Sequence, residues 1–258
     1  MLDLLLNYPF IQNAFFSGLI IGCIAPLLGV FIVVRRLSLI ADALSHVTLA
    51  GIAGSLYLSQ SVAAFALLNP IYLGILASVT GSIFIERLRS LYKHYEELAI
   101  PIIMSAGLGL SAILISLAKG FQTDLSSYLF GSVSAVSRQD LYVVVAIALV
   151  VIVFLSLFFK ELFVLSFDEE YAKASGLPAK WVHFLFMIVV ALVIAASMRI
   201  VGILLVSSLV TLPVAAAMRI AKGFKQAILY SVIFGEAAVV IGLVSAYYLD
   251  LMPGGTIV

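Results

Sequence analysis

Residues 11–36 read IQNAFFSGLIIGCIAPLLGVFIVVRR, and this stretch decides the fold class. Its part from 11 to 34 holds no Asp, Glu, Lys or Arg. As a helix rising about 1.5 Å per residue it is long enough to cross a hydrocarbon core about 30 Å thick. The pattern extends to the whole chain: its 258 residues are 64% hydrophobic and 10% charged, with a mean hydropathy of +1.24. A soluble domain carries about 25% charge. The composition therefore predicts an all-α, polytopic transmembrane helix bundle that forms a single domain, 1–258.

Apolar runs of membrane-crossing length predict eight spans, near 11–34, 42–58, 62–85, 99–118, 141–159, 181–199, 203–218 and 226–249. The seventh is short. Thr256-Ile257-Val258 reads like the start of another span, so a ninth helix is expected to be missing at the C-terminal end. The N-terminal residues lack a basic n-region and run into a full span, so no cleaved signal peptide is expected. Cys23 is the one cysteine, which rules out a disulfide within the chain. The net charge of +1 gives no basis for a nucleic-acid partner.

Basic residues set the expected orientation, because cytoplasmic loops hold the excess of Lys and Arg. All but Lys119, Arg138 and Arg199 of the 14 Lys and Arg fall in one alternate set of loops. That places the N-terminus outside and the 160–180 loop inside, in a bacterial plasma membrane.

Directly after the first span comes RRLSLIADALSHVTLAG, residues 35–51. Asp42 and His46 are spaced i, i+4, so a helix projects both from one face. An ionisable pair in an apolar segment is costly, which makes a functional role the default reading. Carboxylate and imidazole are also suited to a divalent first-row metal. The plain alternative is a polar pair that packs two helices. Ser45 lies between them and is a candidate to line a pathway.

Three further groups carry chemistry. Glu236 is the other carboxylate expected inside the bilayer, as a weaker metal candidate that supports the ligands, as a residue of the pathway, or as a protonated carboxyl bonded to a neighbouring helix. Ser207, Ser208 and Thr211 precede Pro213, which frees a backbone carbonyl, and they line a pathway or bond adjacent helices. The segment FDEEYAKASGLP, residues 167–178, predicts a short cytoplasmic helix. Asp168, Glu169 and Glu170 favour its N-terminus, Gly176 suits C′ and Pro178 stops it. His94 is expected to be solvated and His183 to sit beside the interfacial Trp181; neither is given a metal role.

This last segment, with Ala174 and Gly176 after its acidic start, resembles the coupling helix of ATP-binding-cassette importer permeases. Together with Arg35-Arg36-Leu-Ser-Leu, Asp42-Ala-Leu-Ser-His46, Val201 to Pro213 and the Pro-Gly-Gly-Thr ending, it makes the chain resemble the zinc and manganese permeases of those importers. The resemblance implies that 167–178 dock a separate ATPase subunit, present in two copies, and that Asp42 and His46 handle the metal. It implies a second copy of the chain, which supplies another Asp and His to one site, and an extracytoplasmic metal-binding protein. No Gly-x-x-x-x-Gly-Lys-Ser/Thr loop and no nucleophile–base pair occurs, so the chain is expected to be a transport subunit without enzymatic activity or a resident cofactor. The cargo is expected to be zinc, because Ala41 to Gly51 looks more like zinc-type members; manganese or iron is the alternative. A self-contained secondary carrier for divalent cations is the reading from a different class.

Overall fold

The computed structural model describes residues 9–61, 68–92, 95–117, 128–132, 136–249 and 251–258, and among them there is no strand. The helices are α1 (Pro9–Val34), α2 (Ile40–Ser61), α3 (Pro70–Leu91), α4 (Ala99–Leu117), α5 (Arg138–Phe167), α6 (Glu169–Ala174), α7 (Ala179–Val201), α8 (Ile203–Ile220), α9 (Phe224–Leu249) and α10 (Pro253–Ile257), with a 3₁₀ turn at Glu96–Leu98. Each of the eight expected spans falls on a helix over its described residues, the third from Pro70 onward. Six helices are long and apolar enough to cross a membrane. Asp42, Ser45, His46 and Thr48 lower the apolarity of α2, and the apolar part of α8, Leu205–Ile220, is short.

Successive spans run up and down, so every described basic residue except Arg138 and Arg199 gathers at one end, here termed the basic end. Lys93, His94 and Lys119 lie outside the described residues, as do 62–67 of the expected third span. That span begins later than its apolar run. Asn69 caps α3 by accepting from the Ile71 N–H at 3.2 Å, and Pro70 takes the first helical position, where a missing N–H costs nothing. At its other end α3 continues through Glu86 and Arg89 to Leu91, where the sequence had suggested a break. Likewise α5 does not stop near 159. It deviates from helical dihedrals at Phe158 (φ −113°, ψ 16°) and runs on through Lys160 and Glu161 to Phe167.

The core follows α7, which is buried over 72% of its apolar window against 22% for α4. A helix apolar all round belongs inside a bundle. At the basic end, Phe31 of α1 stacks edge-on with Phe159, Phe186 and Phe224, from α5, α7 and α9. Lipid is as apolar as these side chains, so packing and polar contacts specify the helix pairs. Ser78 of α3 donates to the Ala191 carbonyl of α7 at 3.0 Å. Gly51 of α2 has Ala77 and the Leu73 carbonyl of α3 where a Cβ would go.

The opposite end is pinned by one carboxylate. Asp140, 2% exposed, accepts from Arg199 Nη1 at 2.6 and 2.7 Å, from Asn69 Nδ2 at 2.9 Å and from the Ser137 N–H and hydroxyl at 2.8 and 2.7 Å. The Ser137–Asp140 exchange is a capping box for α5, so the same carboxylate starts one helix and ties it to α3 and α7. Close by, α7 gives way to α8 at Gly202 (φ +86°), against which the backbone of 129–131 packs directly. The Val201 and Phe130 carbonyls then crowd Gly254 of α10, so three chain segments cross where a side chain has no room.

Candidate metal centre and coupling end

The turn between α1 and α2 is a Schellman motif. Leu37 N–H bonds to the Ile32 carbonyl at 2.9 Å and Arg36 N–H to that of Val33 at 3.0 Å. Position C′ is left-handed, yet it holds Arg36 (φ +58°) where glycine is usual. An L-residue there costs about 1–2 kcal/mol. Arg36→Gly is expected to raise the melting temperature in detergent, with part of the gain returned because glycine frees the unfolded chain.

Three residues after this turn α2 begins, and Asp42 stands in its first turn, where the helix dipole favours a negative charge. One turn on, His46 shares its face. Both are half-buried. His46 Nδ1 is buried and meets no hydrogen-bond partner among the described residues. Ser45 between them is buried and its hydroxyl is spent on the Ala41 carbonyl at 2.7 Å. The backbone at 46–47 is held by α4, since a Cβ on Gly107 would come within 2.9 Å of the Val47 nitrogen.

Of the other candidates, α8 packs on α2, which brings Ser207, Ser208 and Thr211 onto a neighbouring helix. All three are half-buried, and the Thr211 hydroxyl bonds the Ser207 carbonyl at 2.8 Å. Glu236 belongs to α9, which lies against α1, where Gly235 abuts the Gly22 carbonyl and Pro26. Among the described residues no three His, Cys, Asp or Glu side chains cluster as a metal-ligand group, so Asp42 and His46 have no third such ligand among them.

At the basic end, α6 forms as expected. The Asp168 side chain caps it by accepting from Tyr171 N–H at 2.8 Å. Gly176 (φ +78°) ends it, with Leu177 N–H on the Ala172 carbonyl at 3.1 Å. Ala172 is fully buried and anchors the helix, while Glu169, Glu170 and Ala174 are exposed. Glu169 pairs with Lys173 at 2.9 Å, and that hydrogen bond holds its carboxyl below the usual range against the opposing effect of burial.

Sequence reading missed the cluster beside it. Arg35 Nη1 lies 2.8 Å from His183 Nδ1, and His183 Nε2 lies 2.9 Å from Glu86 Oε2 and 2.7 Å from Arg89 Nη1. The partners choose the tautomer: bare Nδ1 accepts from Arg35 and Nε2–H donates to Glu86. Arg89 cannot donate to the same protonated nitrogen, and its other Nη bonds Glu96 at 2.7 Å. Burial draws the Arg35 guanidinium down to about 10, with Glu169 opposing, Arg89 adding to the drop and Glu86 opposing; it stays charged at neutral pH. The one legible signal was Glu86 with Arg89, spaced i, i+3 at a span end.

Comparison with known proteins accords with this geometry. The family model described as the ABC 3 transport family matches residues 7–258. A Treponema pallidum protein named "Probable metal transport system membrane protein" is 35% identical over 97% of this chain and 91% of its own length. The manganese import system permease protein ScaB of Streptococcus gordonii is 36% identical over 98% of this chain and 87% of its own. Among solved structures, PsaBC from Streptococcus pneumoniae in complex with Fab superposes with a TM-score of 0.84 at 33% identity, covering 99% of this chain and 89% of that one. The chain belongs to the ABC 3 transport family and is the multi-pass membrane permease subunit of an ABC metal importer.

Proposed function

We propose that this permease imports a divalent first-row metal, manganese in preference to zinc, through a site made by Asp42 and His46. The observation that carries the reading is the buried His46 Nδ1 without a hydrogen-bond partner among the described residues, one helical turn from a carboxylate. A buried polar atom left unpaired calls for a ligand to explain it. Two donors are too few to capture an ion, and a second copy related by a two-fold axis supplies two more. Manganese takes oxygen donors with imidazole, which suits two Asp and two His together with water. The manganese names of relatives about one-third identical favour that metal over the zinc expected from the wording of the motif.

In this reading the basic end faces the cytoplasm and the N-terminus lies outside. Two ATPase subunits dock on α6 of the two copies, and an extracytoplasmic metal-binding protein delivers the ion at the other end. Uptake by the permease–ATPase complex in proteoliposomes, with manganese and zinc offered singly and together, tests the choice of metal. Zinc uptake that manganese does not compete away would reverse it. Docking has its own test. Ala174 is exposed, so Ala174→Glu leaves the fold intact while placing a bulky charge on α6. Transport should be lost and the complex weakened; unchanged transport would show α6 to be an ordinary solvated helix.

A further inference from the structure

The turn that launches α2 has one side-chain hydrogen bond shown to another helix, and it goes to an imidazole. Arg35 follows α1 directly and reaches His183 on α7, which in turn reaches Glu86 on α3. The two nitrogens sit at different edges of one rigid planar ring, so His183 holds a guanidinium and a carboxylate at fixed separation. Arg35 also lies over the Phe186 ring, 6.0 Å from its centroid, which restricts its swing. On the other side of this chain of contacts is a cavity of about 560 Å³, whose lining includes Glu86, Arg89, His183, Glu96, Glu169 and Lys173. The last two belong to α6, and the Glu169 charge favours the charged form of Arg35.

We propose that Arg35, His183 and Glu86 form the link through which movement of α6 is passed to α2 and so to the Asp42–His46 pair; this rests on the reading of α6 as the docking helix and of that pair as the metal site. His183 is then a positioning residue for transport and never touches the ion. Three features carry the assignment. Arg35 is the one side chain of the α1–α2 turn shown bonded to another helix, and Asp42 follows it by only two turns of chain. The strained Arg36 conformation beside it makes the turn a place where backbone rearrangement has little to lose. The cavity leaves α6 room to move toward the link. Stability alone would be served as well by apolar side chains of similar volume, because buried charges seldom out-stabilise them.

The test uses the whole permease–ATPase complex in proteoliposomes, with manganese uptake and ATP hydrolysis measured together. His183→Leu fills the same space without nitrogens. The number of ions moved per ATP should fall by on the order of tenfold while hydrolysis stays near wild type. His183→Gln can accept from Arg35 and donate to Glu86, and should restore the ratio. Arg35→Lys keeps the charge but not the reach or the fork, and should lower the ratio even if His183→Leu fails to assemble. Unchanged ratios in His183→Leu or Arg35→Lys overturn the link. So does a parallel fall of uptake, hydrolysis and melting temperature that Gln does not relieve, which marks a structural contact. Asp42→Asn run alongside separates the two readings. Lost uptake there with normal ratios in the link variants overturns the link alone, whereas normal uptake in Asp42→Asn overturns the site on which it rests.

Discussion

Asp42→Asn will abolish metal uptake while the protein still folds and inserts. Asparagine keeps the shape of the carboxylate and one acceptor oxygen, so the packing of α2 on α3 and α4 is kept. What it removes is the charge that offsets dehydration of the ion. Deleting one partner of a desolvated charge pair costs about 2–5 kcal/mol, and with tenfold per about 1.4 kcal/mol the affinity should drop roughly 30- to 4,000-fold. His46→Ala should be as severe, because the other protein donor type then vanishes from both copies. Imidazole ligates only when neutral, so uptake should decline once the pH is low enough to protonate His46. Radiometal uptake, with thermal unfolding as a control for folding, measures all three. Normal transport by Asp42→Asn would reduce the pair to helix packing.

The largest loss of stability should come from the other end, with Asp140→Ala. Five hydrogen bonds converge on that carboxylate, from Arg199, Asn69 and Ser137. Removing it strands the partly buried Arg199 and undoes the cap of α5 as well as the ties to α3 and α7. Breaking a buried pair from one side costs about 3–5 kcal/mol. A marked drop in melting temperature and in the amount of folded protein is expected. The double variant Asp140→Leu with Arg199→Leu should be more stable than either single change, since no charge is then left alone. A double variant no better than Asp140→Ala would mean that the capping box carries the effect instead of the ion pair.

The membrane made most of the fold legible. A bilayer demands about twenty apolar residues per crossing, and such runs stand out in IQNAFFSGLIIGCIAPLLGVFIVV without any knowledge of neighbours. Boundaries were less legible, because apolarity reports where lipid ends and the helix continues past it. Lys160 and Glu161 stay helical beyond the kink at Phe158, and Arg89 stays helical in the last turn of α3. The start of α3 was readable in principle, since Asn69-Pro70 is a cap followed by a proline at the first helical position. Asp42 and His46 were visible because both lie on one helix, four residues apart. The Arg35–His183–Glu86 link was not, because its members are up to 148 residues apart and helical periodicity does not reveal which helix ends meet. The choice between zinc and manganese was beyond the pattern as well, since Asp and His serve both.

The crossing of Gly131, Gly202 and Gly254 also bears on how the protein is made. Synthesis proceeds from the N-terminus at about 5–20 residues per second, so the 129–131 segment and the α7–α8 turn are in place before α10 exists. The slot they form can be filled only when the chain has been extended past Gly254, whose backbone occupies it. The end of the bundle opposite the basic end thus closes only once Gly254 is in place.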